Sequence, residues 1–240
     1  MRIGVFGTGR LGSAIANLAG PQLAWQVSRE APPPEPVDVA IEATVAVRVQ
    51  DRVDWALATG TQLLIGTTGW PEAGLEQKVG DLIGVLVAPN FSLTMALYAR
   101  LSLVLARFSA LSEDRDPYLV EHHHARKHDA PSGTAKQLAS TLMKGCPRKT
   151  EWVIPAIGTS LGPHQLNVSS IRAGHTYSSH IVGVDGPGEV IELSHSARSA
   201  LPYAEGALIA AQWIQGRKGI FRMDDVARET LSPLFQEVHP

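Results

Sequence analysis

Cysteine is almost absent from this chain: Cys146 stands alone among 240 residues, so no intrachain disulfide can form. Its setting, Lys144-Gly145-Cys146-Pro147, reads as a loop at a helix end and not as the surroundings of a reactive thiol. Net positive charge is also missing. With 21 Lys and Arg against 23 Asp and Glu the formal charge is −2, which leaves no basic field for nucleic acid or an anionic membrane. Any anionic ligand has to be held by local charges. No apolar run approaches the ~18 residues of a membrane span, and Met1-Arg2-Ile3-Gly4-Val5-Phe6 enters a strand pattern with no signal-peptide core. A cytoplasmic location is therefore expected. Internal repeats and low-complexity tracts are absent as well. What remains is 44% hydrophobic and 18% charged, ordinary globular usage, in a chain long enough for one large or two small domains.

The fold class expected is α/β: a Rossmann-type dinucleotide-binding domain plus an α+β domain with an open mixed sheet. Ile3 to Phe6 is a short apolar strand, and after a glycine turn Leu11, Ile15, Leu18 and Ala19 repeat at helical spacing. Further buried strands are expected at Leu23–Val27, Val37–Ile41, Gln62–Ile65 and Ile83–Val87, with helices over Val45 to Ala58 and from Pro71 to Val79. Between Ser28 and Pro36 four prolines leave no room for a crossover helix. After residue 92 the pattern changes to a long helix from Leu93 to about Leu111, a strand ending in a histidine run, and a helix from Ser132. Strands near Trp152–Ala156, Gln165–Arg172, His180–Val184 and Val190–His195 follow, the last two joined by a hairpin at Asp185-Gly186-Pro187-Gly188. Tyr203–Gln215 is an Ala-rich helix, and Asp224 is placed to cap a last short one.

Gly7-x-Gly9-x-x-Gly12, set between strand and helix, fits a dinucleotide pyrophosphate: Gly7 makes the turn, Gly9 lets backbone approach the ligand, and Gly12 lets helix meet strand. Thr8, Arg10 and Leu11 belong to the same loop. At the end of the second strand Ser28-Arg29 suits the 2′-phosphate of NADPH, with Arg10 as a second partner, while Glu30 keeps NADH open. Gly66-Thr67-Thr68 and Ala88-Pro89-Asn90-Phe91 end two other strands, where open α/β sheets bind ligands.

Four of the nine histidines lie between residues 122 and 128, beside Arg126 and Lys127. On a strand, His123 shares a face with Glu121 and points away from His122. Adjacent strand residues diverge, and no Cys completes a four-ligand zinc set, so no metal is expected. The run reads instead as an anion site with an acid. Behind it Pro131-Ser132-Gly133-Thr134 looks like a capped helix start whose free amides suit a carboxylate.

Together these residues resemble the 4-hydroxy-tetrahydrodipicolinate reductase (dihydrodipicolinate reductase) family of lysine and diaminopimelate biosynthesis. The signature E-x-H-H-x-x-K-x-D-A-P-S-G-T-A is met by Glu121, His123, His124, Lys127 and Asp129 through Ala135. Arg172-Ala173-Gly174, His180 and Glu192 through His195 support it, whereas Ser178 and Ala200 depart from the family pattern. The resemblance implies an NAD(P)H-dependent oxidoreductase that reduces dihydrodipicolinate to tetrahydrodipicolinate, with hydride entering at C4 of the cyclic imine. His123 would donate the proton with Lys127 as its partner, and His124, Gly133 and Thr134 would bind the substrate carboxylates. Gly7 to Gly12, Gly66 to Thr68 and Ala88 to Phe91 would hold the cofactor. It further implies a dinucleotide domain of residues 1–92 completed by 202–240, a substrate-binding and oligomerisation domain of 93–201, and a homotetramer. A related dehydrogenase of another small acid shares the glycine loop but has no need of His123-His124-x-x-Lys127.

Overall fold

The computed structural model describes residues 1–29, 35–156 and 158–236. In chain order the elements are β1 (Ile3–Phe6), α1 (Arg10–Ala19), β2 (Leu23–Val27), β3 (Val39–Glu42), α2 (Val49–Thr59), β4 (Gln62–Ile65), α3 (Leu75–Val79), β5 (Gly84–Val87) and α4 (Leu93–Ser109). Then come β6 (Asp116–His123), α5 (Gly133–Gly145), β7 (Glu151–Val153), β8 (Gln165–Arg172), β9 (Ser178–Gly186), β10 (Glu189–Ala197), α6 (Leu201–Trp213), β11 (Gly219–Arg222) and α7 (Met223–Leu231). The chain divides into two compact units, Met1–Ala96 with Ala200–Pro240, and Leu97–Ser199.

The first unit is built on a six-stranded parallel sheet in the order β11-β5-β4-β3-β1-β2. Strands β1, β3, β4 and β5 are buried at every position but Gln62, as continuous apolar runs covered on both faces must be. One apolar layer gathers Ile3, Val5 and Ile41 under α1 and α6, where buried Ala204, Ala207, Ala210 and Ala211 let α6 lie close to the sheet. The opposite layer holds Phe6, Leu63 and Val85 against Val49, Val53 and Ala56 of α2. This doubly wound arrangement is the α/β class read from the sequence.

Two local expectations are corrected. Residues 71–74 are exposed and offer no apolar face to the core, so α3 begins only at Leu75, after Gly74 in the left-handed region at φ 80. The last helix is capped not by Asp224 but by Asp225, whose carboxylate accepts from the Arg222 amide at 2.9 Å. The short strand β11 has no counterpart in the sequence reading, since four residues that begin with a glycine carry no periodicity. The link from Ser28 to Pro36 lies largely outside the described residues, as does Glu30.

The second unit is a five-stranded mixed sheet in the order β10-β9-β6-β8-β7. Strands β10, β9 and β6 run antiparallel, and β6, β8 and β7 parallel. Pro187-Gly188 forms the two-residue turn between β9 and β10. Helix α5 packs on β6, β8 and β7, burying Ala135, Leu138, Ala139 and Leu142. Cys146 is fully buried at its end.

Candidate active site

In the first unit, loops leave neighbouring strands side by side and extend the ladder by one bond each. Gly7 donates to Val27 O, Ala43 to Phe6 O, Gly66 to Glu42 O and Ala88 to Ile65 O, all at 2.8–2.9 Å. Chain order reverses between β1 and β3, so their carboxyl ends open the crevice where this class of sheet takes ligands. Gly7 sits at φ 125, and a Cβ there would lie 2.5 Å from Ala43 O. At Gly12 a Cβ would lie 2.2 Å from Gly7 O, so this position sets how closely α1 meets the turn. Gly9, the residue before α1, is different: a Cβ there would meet nothing within 4 Å, which leaves the approach to the helix amides open. That is the cradle a pyrophosphate needs.

A cavity of about 440 Å³ is lined by Leu11, Ala43 to Ala46 and Gly66 to Thr68. It brings together four of the sequence-predicted residues, Leu11, Gly66, Thr67 and Thr68. The segment 43–46 was missed because nothing in Ala43-Thr44-Val45-Ala46 looks chemical until β3 is known to stand at the switch point. Glu42 was missed too. Its fully buried carboxylate takes hydrogen bonds from the Thr44 amide at 2.7 Å, the Thr44 hydroxyl and the Thr67 hydroxyl at 3.1 Å, which fixes both loops. Arg52 Nε lies 3.8 Å from it. Burial pushes the Glu42 carboxyl above its ordinary range, and the Thr44, Thr67 and Arg52 contacts offset this only in part.

The other predicted cofactor residues are spread more widely. Thr8 accepts from Ser13 through its carbonyl. Arg10, Ser28 and Arg29 are exposed, and the Arg29 carbonyl accepts from Arg52. In the last loop Pro89 is exposed, Asn90 caps Ser92 at 2.9 Å, and Ala88 and Phe91 belong to the core.

In the second unit the strand register assembles what the sequence kept apart. Glu121 of β6 stands opposite Ser170 of β8 and His180 of β9, and His180 stands opposite His195 of β10. Two residues on, His123 stands opposite Arg172. Glu121 and His123 are buried on one face, as strand alternation requires, while His122 holds Ala173 O at 3.0 Å. Strand β6 stops at His123, leaving His124 half-buried beyond it.

Glu121 is completely buried, and its Oε1 accepts from Arg172 at 2.6 Å, the Ser170 hydroxyl at 2.7 Å and the Ser132 amide at 3.0 Å. Its Oε2 faces His123 Nδ1 at 3.2 Å and His180 Nε2 at 4.0 Å. Burial alone would raise this carboxyl, but the contacts from His123, Ser132, Ser170 and Arg172 outweigh it and hold the group well below the usual carboxylate range. Burial is also the main cause that lowers His180 to about 4, assisted by the neighbouring His123 charge. Lys127 pairs with Asp129 Oδ1 at 2.7 Å, and this hydrogen bond lowers the Asp129 carboxyl. Glu121 Oε2 and nitrogens of His123 and His180 lie within 4.8 Å of one another. The 3.2 Å contact is also that of a carboxylate orienting an imidazole.

Ser132 caps α5 as expected, its hydroxyl accepting from Ala135 N at 3.1 Å. Among the described residues the Gly133 and Thr134 amides meet no acceptor, and a Cβ at Gly133 would meet nothing within 4 Å. A single carboxylate, Glu121, thus ties the open start of α5 to His123. Arg172, Ser170 and His180 were given no task from the sequence, and only the sheet register brings them to Glu121.

Residues 93–227 match the family described as dihydrodipicolinate reductase, C-terminus, and residues 29–91 match its N-terminus. A 4-hydroxy-tetrahydrodipicolinate reductase of Laribacter hongkongensis is 33% identical, the match covering 91% of this chain and 94% of that protein. One from Zymomonas mobilis is also 33% identical, over 94% and 96%. Among solved structures, the dipicolinate-bound dihydrodipicolinate reductase of Paenisporosarcina sp. TG-14 shares the fold, with a TM-score of 0.73 at 19% identity over 92% of this chain and 97% of that one. With matches that span both halves of the chain, the protein belongs to the dihydrodipicolinate reductase family.

Proposed function

We propose that this chain reduces dihydrodipicolinate, formed from 4-hydroxy-tetrahydrodipicolinate, to tetrahydrodipicolinate, using NADPH in preference to NADH. The observation that carries the reading is Glu121, which joins His123 to the open amides at the start of α5. When bound, a reduced pyridine nucleotide supplies the hydride. The residues of the first unit fit such a group: Gly9 leaves backbone open to a pyrophosphate, and Leu11, Gly66, Thr67 and Thr68 line the adjoining cavity. Ser28 and Arg29, exposed just after β2, would take a 2′-phosphate.

In the second unit His124 and the Gly133 and Thr134 amides bind the substrate carboxylates through charge-assisted hydrogen bonds. His123, with Lys127 nearby in sequence, supplies the proton that completes reduction: its N–H bond breaks as the ring C–H bond forms. No metal takes part in this scheme. Exposed Leu101, Val104 and Phe108 on α4 and Val190 and Ile191 on β10 support assembly of the second unit into a homotetramer. No helix among the described residues is long and apolar enough to cross a membrane.

The test is oxidation of NADPH or NADH in the presence of freshly made dihydrodipicolinate. In His123→Gln turnover should fall about 100- to 1,000-fold, with cofactor affinity unchanged. Unchanged turnover would remove His123 from the reaction. In Arg29→Ala, NADPH affinity should fall and NADH affinity should not; equal losses would reject the phosphate contact.

A further inference from the structure

We infer that Glu121 is a positioning residue for the reaction, holding the His123 ring in one tautomer with Nδ1 turned inward and Nε2 left for the substrate. The inference rests on the reading of His123 as proton donor and adds to it the device that makes the ring directional.

Three features of the site lead to this assignment. First, the direction of the Glu121 carboxylate is over-determined. Arg172, Ser170 and the Ser132 amide come from β8 and the α5 start, and all three end on Oε1, so the remaining oxygen cannot turn away. Arg172 is itself anchored, because the same Nη2 donates to Asp129 O at 2.5 Å. Second, the atom that Oε2 meets is Nδ1 of His123, 3.2 Å away as an ion-pair contact, and both atoms are shut off from solvent with no other polar partner at hydrogen-bond distance. A carboxylate can only accept, so the proton between them belongs to Nδ1. Third, the other imidazole near Oε2, His180, is farther away at 4.0 Å and is only 1% exposed. It meets His123 edge to face at 5.4 Å and so blocks rotation of that ring.

The groups facing His123 are thus Glu121 on its own strand, Arg172 on β8 and His180 on β9, with His195 opposite His180 on β10. Of these only Glu121 can accept a proton-bearing nitrogen as an anion. With Nδ1–H fixed, a further proton on the ring has only Nε2 to occupy, and that is the proton available for transfer. A ring free to take either tautomer would spend part of its time with the donor nitrogen facing the wrong way.

Glu121→Gln tests this, because the amide keeps the volume and can itself donate to Nδ1, reversing the tautomer. The kcat should fall about 10- to 100-fold, while KM for dihydrodipicolinate and cofactor affinity stay close to those of the unaltered enzyme. Glu121→Asp, which keeps the anion, should recover part of the loss. Should Glu121→Gln fail to fold, ring ¹⁵N resonances of the unaltered enzyme still decide: the neutral His123 ring must carry its proton on Nδ1. A wild-type kcat in Glu121→Gln, or an Nε2–H tautomer in the unaltered enzyme, overturns the assignment. His123→Gln separates the two ideas. If it keeps full turnover, the donor reading fails on its own; if it loses turnover while Glu121→Gln does not, only the positioning role is lost.

Discussion

Among the described residues two glutamates are entirely removed from water, Glu42 in the first unit and Glu121 in the second, and their carboxyls shift in opposite directions. Glu42 is held by two threonines, with its guanidinium neighbour Arg52 at 3.8 Å, and burial wins, so its carboxyl is raised. Glu121 has a guanidinium at 2.6 Å, a hydroxyl, an amide and an imidazole, and these win, so its carboxyl is lowered. Equal burial therefore says little about the charge of a carboxylate. The number of donors and the closeness of one cation decide it. The difference also matches the character of the two sites: the first is made of glycines and small residues around backbone amides, and the second of charged side chains locked on an anion.

The comparison breaks most readily at Glu121. Glu121→Ala leaves Arg172 and His123 facing an empty space and should cost ~3–5 kcal/mol of unfolding free energy, read from the urea midpoint. A loss below 1 kcal/mol would mean that the network contributes no net stability. Acid should expose the same contrast. His180, lowered from 6.5 to about 4, remains neutral when folded, while the unfolded chain takes up the proton. Stability contributed this way is present above pH 6.5 and is lost as pH falls toward 4, by up to about 3 kcal/mol. Glu121 acts in the same direction at lower pH, because its folded form resists protonation after the unfolded form, near 4.5, has accepted it. Glu42 runs the other way: its raised carboxyl costs stability as pH rises above 4.5. Denaturant titrations between pH 4 and 7 should show stability rising with pH, and the slope should lessen in His180→Asn. A flat profile would contradict the buried neutral His180.

A smaller effect is expected in the first unit from Gly9→Ala. Its φ of −76 suits alanine and the added Cβ meets no protein atom, so the melting temperature should not change. Cofactor affinity should nevertheless fall about tenfold, ~1.4 kcal/mol, measured by fluorescence titration with NADPH. Unchanged affinity would remove Gly9 from the proposed pyrophosphate site. The smallest change should come from Glu42→Gln, within ~1 kcal/mol of the parent at neutral pH, since an amide resembles the protonated carboxyl that burial favours. A loss as large as that of Glu121→Ala would show that Glu42 is held as an anion after all.

By itself the sequence determined the parts that depend on local pattern. Strands β2, β4 and β8 were legible to the residue because each is a short apolar or alternating run with clear ends. The glycine spacing located the turn after β1, Ser132 announced the start of α5, and the Glu121-x-His123 alternation placed both side chains on one face. Beyond the β9–β10 hairpin, tertiary structure decided which strands became neighbours. The pairing of β6 with β8 and β9 brings Ser170, Arg172 and His180 to Glu121 across about 50 to 60 residues of chain. The switch point between β1 and β3 turns the plain segment Ala43 to Ala46 into a cavity wall. These outcomes escape local reading because strand order and register follow from burying faces against the whole core, while periodicity within a segment reports only which face it buries.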